Sequence, residues 1–468
     1  MAETIISDIS QTTFNREVLK VINDGTKRVF HKWSAILLAD NIKVNVYYFN
    51  GLNNTRDYVN QYTDAMCLDL VLNNQEYQRI VVPGRNKLKI RIYKEPVAAL
   101  SGNSVPGKIV TQEFIAMLYD SSSAIMESNT LMNSNTNVGN KASLVTVRFF
   151  LLNKTIENLR LRTLGPTIRE TLPGEAIRGI LHQETTASAG LVSEMYNGLD
   201  LVAGHNPTIK KQIMIPHGTN IIGEGGVIRQ IEEDCGGIYN SGFNYYYQKG
   251  YWYLYPPFNT ERYNNPSNKT LTIINVPQDR YPSLERTYRE TANQIIVIST
   301  GATVHQDNSG AAQKNDGNAV MYVDSNKIYN DFSKIEGEDL VVNAKANVNK
   351  FGIDEKDRTT GNGEVVMKNK GVSTQYYREF GKLALRLGMV IGCKWENADP
   401  DLIYPGMPVC FMFLDGEQPR QVYGSVIGSS IIVNAMGQGN GSGKDDRKFS
   451  TSVLISVFLA NKIDIKPK

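Results

Sequence analysis

Aromatic residues are concentrated in one short segment of this 468-residue chain. Ten of the twenty residues from Tyr239 to Phe258 are aromatic, although Phe, Trp and Tyr together make up only 9% of the sequence. Two aromatic runs, Tyr245-Tyr246-Tyr247 and Tyr251-Trp252-Tyr253, are separated by Gln-Lys-Gly. Aromatic side chains suit a pleated surface and glycine suits a tight turn, so the pattern predicts a β-hairpin.

The composition of this hairpin indicates how it is used. Most of its rings are tyrosines, which combine apolar area with a polar tip and suit a surface that is partly buried against a partner. We therefore predict an interface or domain-junction element, formed by Tyr245, Tyr246, Tyr247, Tyr251, Trp252, Tyr253 and Tyr255. An ordinary hairpin in the core of one domain is the alternative that composition leaves open.

Strand patterns dominate the first 153 residues. One helix is predicted at about 15–23, and a hairpin follows at 34–50 with its turn at Asn41-Ile42. In KLKIRIY the alternation predicts that Leu88, Ile90 and Ile92 face inward and that the basic residues between them face solvent. Further strands are predicted at 67–73, 109–120 and 143–152, a short helix near 55–61, and a Ser/Asn-rich loop at 121–142.

The middle of the chain is mixed. Helical spacing in KTIENLRLR and GEAIRGILHQE predicts two helices, a third is expected at 187–201, and a short amphipathic helix ends at Gly236-Gly237. Strands are predicted at 269–277, 293–300 and 319–328. Residues 301–318 are predicted to be a polar loop, and 333–371 an exposed segment or linker.

Four strand patterns separated by turn residues fill the last hundred residues, and Gly424 and Gly428 in the third indicate a bulge. The sequence therefore predicts a β-dominated α+β protein. Its predicted parts are an N-terminal β domain at 1–153, a helical insertion at 154–210, a mixed region at 211–375 and a C-terminal β domain at 376–468.

Short motifs of catalysis and phosphate binding are incomplete. GQGNGSGKDD has Gln438 where a P-loop needs its first glycine, and Asp445 where it needs Ser or Thr after Lys444. GEGGVI has Ile228 in place of the third glycine of a dinucleotide fingerprint. Glu232-Glu233-Asp234 are consecutive, so on a helix they point in different directions and are expected on a solvated face. We expect no catalytic residues, no cofactor and no metal site.

The charge balance and the cysteine positions exclude further classes of protein function. Lys plus Arg total 50 and Asp plus Glu 47, so the formal charge of +3 gives no reason to expect tight nucleic-acid binding. Cys67, Cys235, Cys393 and Cys410 stand apart, which indicates free thiols, and none has histidines at zinc-ligand spacing. Whether Cys393 and Cys410 lie on neighbouring strands stays open. No signal peptide and no membrane span are expected.

One larger pattern resembles a known family. A helix followed by Gly237-Ile238-Tyr239, and then a tyrosine-rich hairpin ending in Tyr253-Leu254-Tyr255-Pro256-Pro257, is similar to the hub proteins of contractile-tailed bacteriophage baseplates. The resemblance is strongest over 209–330 and lies in organisation, not in an invariant motif.

The resemblance implies a fold and a role. Hub proteins are trimers that join the central spike to the tail tube, and each chain carries two tail-tube-like antiparallel β domains. The resemblance therefore implies that this chain is a structural virion protein of the tail baseplate, made in the host cytoplasm. Its partners would be the tail tube protein, the spike protein and other baseplate proteins, with DNA only in transit through the lumen.

Two alternatives remain from the residues themselves. The Tyr/Trp cluster, with Asn240, Asn244 and Gln248 nearby, also suits a carbohydrate-binding or carbohydrate-active β protein that stacks sugars on exposed rings. A tail tube or neck component is the other alternative, and it differs from a hub mainly in stoichiometry.

Overall fold

The computed structural model describes residues 7–24, 29–98, 109–119, 144–165, 167–188, 198–201, 211–223, 225–234, 243–257, 261–265, 268–276, 287–307, 389–436 and 448–459. The predicted strand at 319–328 and the predicted segments at 121–142 and 333–371 lie outside these residues, as does nearly all of the glycine-rich stretch 437–448. The described residues form a β-dominated protein with a few helices, as the sequence predicts.

The described residues of the N-terminal part form one helix longer than two turns and eight strands. Helix α1 (Gln11–Ile22) begins four residues earlier than predicted, because the Ser10 hydroxyl caps it by accepting from the Thr13 N–H at 3.2 Å. The strands are β1 (Ser7–Asp8), β2 (Val29–Ala39), β3 (Ile42–Val44), β4 (Val46–Asp57), β5 (Ala65–Asn73), β6 (Leu88–Ala98), β7 (Val110–Leu118) and β8 (Leu144–Leu152).

The middle part combines helices with short strands. The helices are α2 (Lys154–Arg160), α3 (Pro173–Ser188) and α4 (Val227–Asp234). The strands are β9 (Thr163–Leu164), β10 (Thr167–Thr171), β11 (Gly198–Leu201), β12 (Lys211–Met214), β13 (Thr219–Asn220), β14 (Asn244–Gln248) and β15 (Tyr251–Tyr255).

The C-terminal part is built from strands: β16 (Thr270–Asn275), β17 (Tyr288–Glu290), β18 (Gln294–Ser299), β19 (Gly301–Asp307), β20 (Met389–Glu396), β21 (Pro408–Asp415), β22 (Gln418–Met436) and β23 (Lys448–Leu459). Short helical turns elsewhere in the described chain cover Asn74–Glu76, Tyr77–Val81, Arg85–Lys87, Glu261–Asn264 and Pro400–Leu402.

One continuous sheet contains strands from both ends of the chain. Its order is β17-β18-β16-β21-β22-β4-β5-β8-β7-β6-β2-β3, and β23, β20 and β19 extend in series from β22. β16 is parallel to β18 and β21, whereas the other pairings are antiparallel. Residues far apart in sequence therefore share one hydrogen-bonded framework.

The 19-residue strand β22 joins the two ends. Its first half pairs with β21, its residues 428–434 pair with β4, and β23 lies along 424–436. The register shifts between Val426 and Gly428, so a bulge occurs at Ile427, next to Gly428, one of the two glycines that predict it. A Cβ at Gly428 would lie 2.7 Å from the Arg56 carbonyl oxygen, so glycine is what allows β4 to approach so closely.

Among the described residues, the buried hydrophobic side chains form three cores. The main core is formed by side chains on the inner side of the sheet and includes Leu37, Leu68, Phe149, Val426 and Val457. The second core lies among the helices of the middle part and includes Ile177, Leu181, Ile213, Ile231 and Trp252. The third core lies between α1 and the sheet and includes Phe14, Val21, Ile274, Ile298 and Cys410.

Several predicted elements are confirmed. Leu88, Ile90 and Ile92 are buried on the inner side of β6, and the strands predicted at 67–73, 109–120, 143–152, 269–277 and 293–300 are present. Helices α2 and α3 correspond to the two predicted from helical spacing. Cys393 lies in the main core and Cys410 in the third core, on strands that do not pair with each other.

Three local predictions are wrong. No helix forms near 55–61, because β4 continues to Asp57 by pairing with β22, and the Asp57 carboxylate then caps a turn at Val59 and Asn60. The end of the helix predicted at 187–201 is instead the strand β11, which lies parallel to β15. Residues 301–307 of the predicted polar loop are strand β19, paired with β20. Tertiary pairing overrides local preference in each case.

The close approach at Gly428 is testable with a matched pair of substitutions. Gly428→Ala should lower the free energy of unfolding by about 1–3 kcal/mol, because the new methyl group forces β4 and β22 apart. Gly301→Ala should have little effect, since a Cβ there meets nothing within 4 Å. Urea denaturation followed by circular dichroism measures both, and equal effects would contradict the close-packed bulge.

Candidate functional site

The aromatic hairpin is formed by β14 and β15, joined by a two-residue turn. Tyr246 lies opposite Tyr253, and Tyr247 lies opposite Trp252. Lys249 and Gly250 at the turn have φ values of 53° and 82°. Two consecutive residues with positive φ are typical of the type I′ turn that matches the twist of a hairpin.

The two faces of the hairpin enter different cores. Tyr245, Tyr247, Trp252 and Leu254 point into the second core. Tyr246 and Tyr255 point into the main core, and Tyr253 packs against it. Successive side chains alternate across a strand. The paired five-residue strands β14 and β15 therefore contribute buried side chains to both cores.

The segment after β4 docks along the hairpin. The Tyr247 N–H donates to the Tyr62 carbonyl oxygen at 2.8 Å, and the Tyr62 ring stacks on Tyr245 with centroids 5.0 Å apart. The Tyr58 ring meets Tyr246 edge to face at 4.8 Å. The Tyr58 carbonyl oxygen accepts from the Asn244 amide and the Tyr255 hydroxyl. These contacts attach the N-terminal part to the hairpin.

A polar cluster around Asp64 contacts the hydroxyl of Tyr246, one of these rings. The Asp64 carboxylate accepts from Asn54 at 2.8 Å, from Arg56 at 3.1 Å and from the Tyr246 hydroxyl at 2.8 Å. Burial, with Asp64 next in effect, raises the pKa of Tyr246 well above its ordinary value, so its hydroxyl stays a donor. Arg56 Nη1 also donates to the Pro400 carbonyl oxygen at 3.0 Å. The cluster therefore connects β4, the hairpin and the C-terminal part.

The opposite face of the hairpin is attached to the helices. Trp252 Nε1 donates to Thr185 Oγ1 of α3 at 2.7 Å, and both residues are fully buried. Arg229 of α4 donates to the Asn244 side-chain oxygen at 3.0 Å. A buried indole N–H needs a partner, so the Thr185 hydroxyl orients the largest ring of the hairpin.

A third set of contacts reaches the loop 397–407, which we call the junction loop. Gln248 Nε2 donates to the Ile403 carbonyl oxygen at 3.4 Å, and the rings of Tyr253 and Tyr404 stack with centroids 5.9 Å apart. Gly406 has a φ of 65° and lies against the Tyr255 ring, where a Cβ would overlap the ring atoms. The junction loop is therefore shaped to the hairpin that covers it.

Four charged side chains surround the turn of the hairpin. Lys94 Nζ donates to Asp399 at 2.7 Å and to Asp401 at 2.8 Å, and Lys249 pairs with Asp401. Burial works to lower the pKa of Lys94, but Asp401 and Asp399 together raise it above its ordinary value. For Asp401 burial opposes ionisation, but Lys249 and Lys94 together hold its pKa far below the usual range. This charge cluster joins β6, the hairpin and the junction loop.

The seven aromatic residues predicted from the sequence fall into two groups. Tyr251 is 41% exposed and Tyr253 is half-buried. The other five have no more than 1% of their surface exposed, and they are Tyr245, Tyr246, Tyr247, Trp252 and Tyr255. The hairpin thus lies at a junction within the chain, and its predicted contact with another subunit stays a prediction that concerns Tyr251 most directly.

The sequence did contain a signal for the charge cluster. Continuing the alternation of Leu88, Ile90 and Ile92 places Lys94 on the inner side of β6, where it is 4% exposed. A lysine at an inward position requires a buried anionic partner. Asp399 and Asp401, about 300 residues away, had no such signal, because aspartate is ordinary in a turn.

The weak motifs of the middle part have structural explanations where they are described. Gly226, Val227 and Ile228 of GEGGVI are buried at the start of α4. Glu232 is 3% exposed, which corrects the expectation of a solvated helix face, whereas the side chains of Glu233 and Asp234 lie outside the description. Among the described residues no group of three His, Cys, Asp or Glu side chains could hold a metal ion. No helix in the described ranges is long and apolar enough to cross a membrane.

His31, next to the charge cluster, makes the stability pH-dependent. Burial lowers the pKa of His31 to about 4, and Lys94 adds to this effect while Asp399 and Asp401 oppose it. An unfolded histidine titrates near 6.5, so between about 6.5 and 4 the unfolded chain binds a proton that the folded chain does not. This contribution to stability should be lost as the pH falls through that window.

Replacing His31 by Gln should reduce the slope of unfolding free energy against pH between 6.5 and 4. Urea denaturation at half-unit steps of pH would measure both proteins, and His182→Gln is the control because its histidine is exposed on α3. An unchanged slope in His31→Gln would contradict a buried, neutral His31.

Comparison with known proteins gives distant structural likenesses only. The sequence matches no family model and no curated protein. The tail protein from Neisseria meningitidis MC58 is 10% identical with a TM-score of 0.41, and covers 91% of this chain and 96% of its own. The prophage MuSo2 43 kDa tail protein from Shewanella oneidensis is 9% identical with a TM-score of 0.41, covering 91% and 98%.

A third solved structure is similar at the same level. The E. coli c3393 protein, described as a component of the type VI secretion system with structural similarity to the T4 tail proteins gp27 and gp5, is 8% identical. Its TM-score is 0.38, and the match covers 92% of this chain and 77% of that one. At these identities and TM-scores the likenesses carry no weight for function.

Proposed function

We propose that this chain is a structural virion protein, a trimeric baseplate hub that joins the central spike to the tail tube and lines the DNA channel. It acts without catalysis or cofactor, in the tail baseplate of the virion, after synthesis in the host cytoplasm. Its partners are two further copies, the tail tube protein, the spike protein and other baseplate proteins. This role is suggested by the helix and tyrosine-rich hairpin, whose order in the sequence resembles that of baseplate hub proteins.

Among the structural observations, the strand β22 supports the proposal most directly. It pairs with β21 and β23 of the C-terminal part and with β4 of the N-terminal part, so the two β-rich regions share one sheet. An adaptor between two symmetric assemblies must hold its two contact regions at a fixed distance and angle. A continuous hydrogen-bonded strand supports that requirement better than a flexible linker would.

The hairpin supports the same role by attaching the middle part of the chain to the N-terminal and C-terminal parts. It contacts the N-terminal segment at Tyr58 and Tyr62, the helices at Thr185, and the junction loop at Ile403. We assign the tyrosines buried by these contacts to fixing the three parts of one chain. Tyr251, which is 41% exposed, is the ring of the hairpin that we propose for contact with another protein.

The carbohydrate alternative depends on exposed rings. A sugar-stacking platform needs an accessible ring face, and five of the seven hairpin rings are buried within the chain. No specific observation favours this alternative over assembly. A tail tube or neck component stays an alternative of the same structural class, with a different number of copies.

The solution mass of the purified chain tests the proposal. Light scattering after size exclusion should give about three times 52.2 kDa, and negative-stain images of the same peak should show a ring with a central hole. Addition of purified tail tube protein should shift the peak to higher mass. A monomer whose tryptophan fluorescence changes on titration with glycans would contradict the hub and favour the carbohydrate alternative.

A further inference from the structure

Strand β3, at one end of the sheet order, lies beside two turns that pack together. The turn between β2 and β3 contains Asp40, whose N–H donates to the Lys87 carbonyl oxygen at 3.3 Å. At the other end of β3, the Asn45 N–H donates to the Glu76 carboxylate at 3.0 Å. These contacts hold the β2–β3 hairpin against the segment that connects β5 to β6. We call this end of the molecule, residues 38–45 and 74–89, the basic tip.

The basic tip contains the excess positive charge of the chain. Its five basic and two acidic residues are Lys43, Arg79, Arg85, Lys87, Lys89, Asp40 and Glu76. The resulting excess of three positive charges equals the formal charge of +3 of all 468 residues. The rest of the chain is therefore neutral overall, and the charge imbalance is concentrated at one end of the sheet.

Most of these cations are not neutralised within the described chain. Lys87 pairs with Asp40 at 3.0 Å. The Glu76 carboxylate accepts from the N–H of Asn45 at 3.0 Å and from its Nδ2 at 2.9 Å, so an amide occupies it and not a cation. In the part of the chain that the structure describes, no ion pair is formed by Lys43, Lys89, Arg79 or Arg85. Four cations are therefore available to an anion from outside.

Two of the four cations lie in one row across the outward side of the sheet. Lys43 of β3 lies opposite Leu38 of β2, and Leu38 lies opposite Lys89 of β6. Lys89 in turn lies opposite Ile115 of β7. Residues directly opposite each other point to the same side of a sheet, and strands are about 4.8 Å apart, so the two lysines flank Leu38 at a separation of about 10 Å. Leu38 and Ile115 are half-buried, and the row therefore alternates charge with apolar area.

This chemistry matches an acidic protein segment better than a nucleic acid or another copy of the chain. A phosphate backbone is bound through cations, and it has no apolar group to pack on Leu38 or on Ile42, which is 55% exposed. Asp40 and Glu76 would also repel phosphates. Protein interfaces combine apolar contact with complementary charge. Another copy offers no excess of negative charge, because the chain outside the basic tip is neutral overall.

We propose that the basic tip binds an acidic segment of another protein, one that carries carboxylates on both sides of an apolar side chain. The carboxylates pair with Lys43 and Lys89, and the apolar side chain packs on Leu38. Arg79 and Arg85 on the adjoining turns attract the acidic segment over a longer range and raise the association rate. The inference does not depend on how many copies of the chain assemble, so it is tested separately from the hub role.

Charge reversal at two exposed positions tests the proposal. The probe is a short fluorescein-labelled peptide with glutamates two residues before and after each leucine and serines between, so that these side chains share one side of an extended chain. Fluorescence anisotropy at physiological ionic strength should show saturable binding to the wild type, and binding should weaken as salt is added. Lys43→Glu combined with Arg85→Glu should raise the Kd at least about tenfold, because two attractions become repulsions.

A second double reversal is the matched control. Arg169→Glu combined with Arg178→Glu makes the same change in net charge at exposed positions of β10 and α3, outside the basic tip. It should leave the Kd within about twofold, because charges beyond a Debye length are largely screened. Lys89→Gln is an independent variant that should also weaken binding, by removing one side of the row. Thermal melting checks that each variant folds.

Several results would overturn the proposal. Equal binding by the tip variant and the control, or tight binding of a peptide with glutamine in place of glutamate, would show that the tip does not recognise carboxylates. Stronger binding of a double-stranded oligonucleotide would indicate a nucleic-acid partner. A lower subunit number in the tip variant would mean that the tip meets another copy. A wild type that does not bind, with a tip variant that aggregates, would show that the lysines only protect the edge strand β3. The subunit number of the wild type decides the hub role independently of all these results.

Discussion

The packing of one short hairpin on two cores is the constraint on which the other contacts of this protein depend. Strand β14 places Tyr246 in the main core and its neighbours Tyr245 and Tyr247 in the second core. A fully buried aromatic ring contributes more apolar area than other side chains. Separating the junction would expose five such rings to water, which costs a large free energy. The hydroxyls and the indole N–H find partners across the junction, as Trp252 does at Thr185 and Tyr246 does at Asp64. Apolar area therefore supplies the attraction, and the polar tips fix the relative position of the parts.

The charge cluster at the hairpin turn works in a different way. Taking Lys94 and Asp401 out of water costs free energy that their attraction repays only with good geometry. Here Lys94 donates to both Asp399 and Asp401, and Lys249 pairs with the other carboxylate oxygen of Asp401. Such a cluster is a modest source of stability, but it penalises any arrangement in which one partner is removed. It consequently favours one relative position of β6, the hairpin and the junction loop.

The sequence revealed local patterns well and distant partners poorly. The hairpin followed from the alternation of aromatic runs around Lys249 and Gly250, and the bulge followed from glycine in a long strand pattern. Period-two alternation also placed Ile90 on the inner side of β6. The side that each ring would enter was not predictable, because both faces of β14 are aromatic and alternation alone does not choose between two cores. Strands such as β11 and β19 were missed because their local preferences are weak and their pairing with β15 and β20 supplies the order.

Native-state hydrogen exchange in the wild type and in Trp252→Ala tests the central claim, that the hairpin couples the two cores into one unit. The substitution should cost about 3–5 kcal/mol at a buried tryptophan. If the hairpin couples the cores, the amides of Leu68 in the main core and of Leu181 in the second core should lose protection by the same amount. A loss confined to Leu181 and its neighbours, with Leu68 unchanged, would show that the cores unfold independently and would contradict the account.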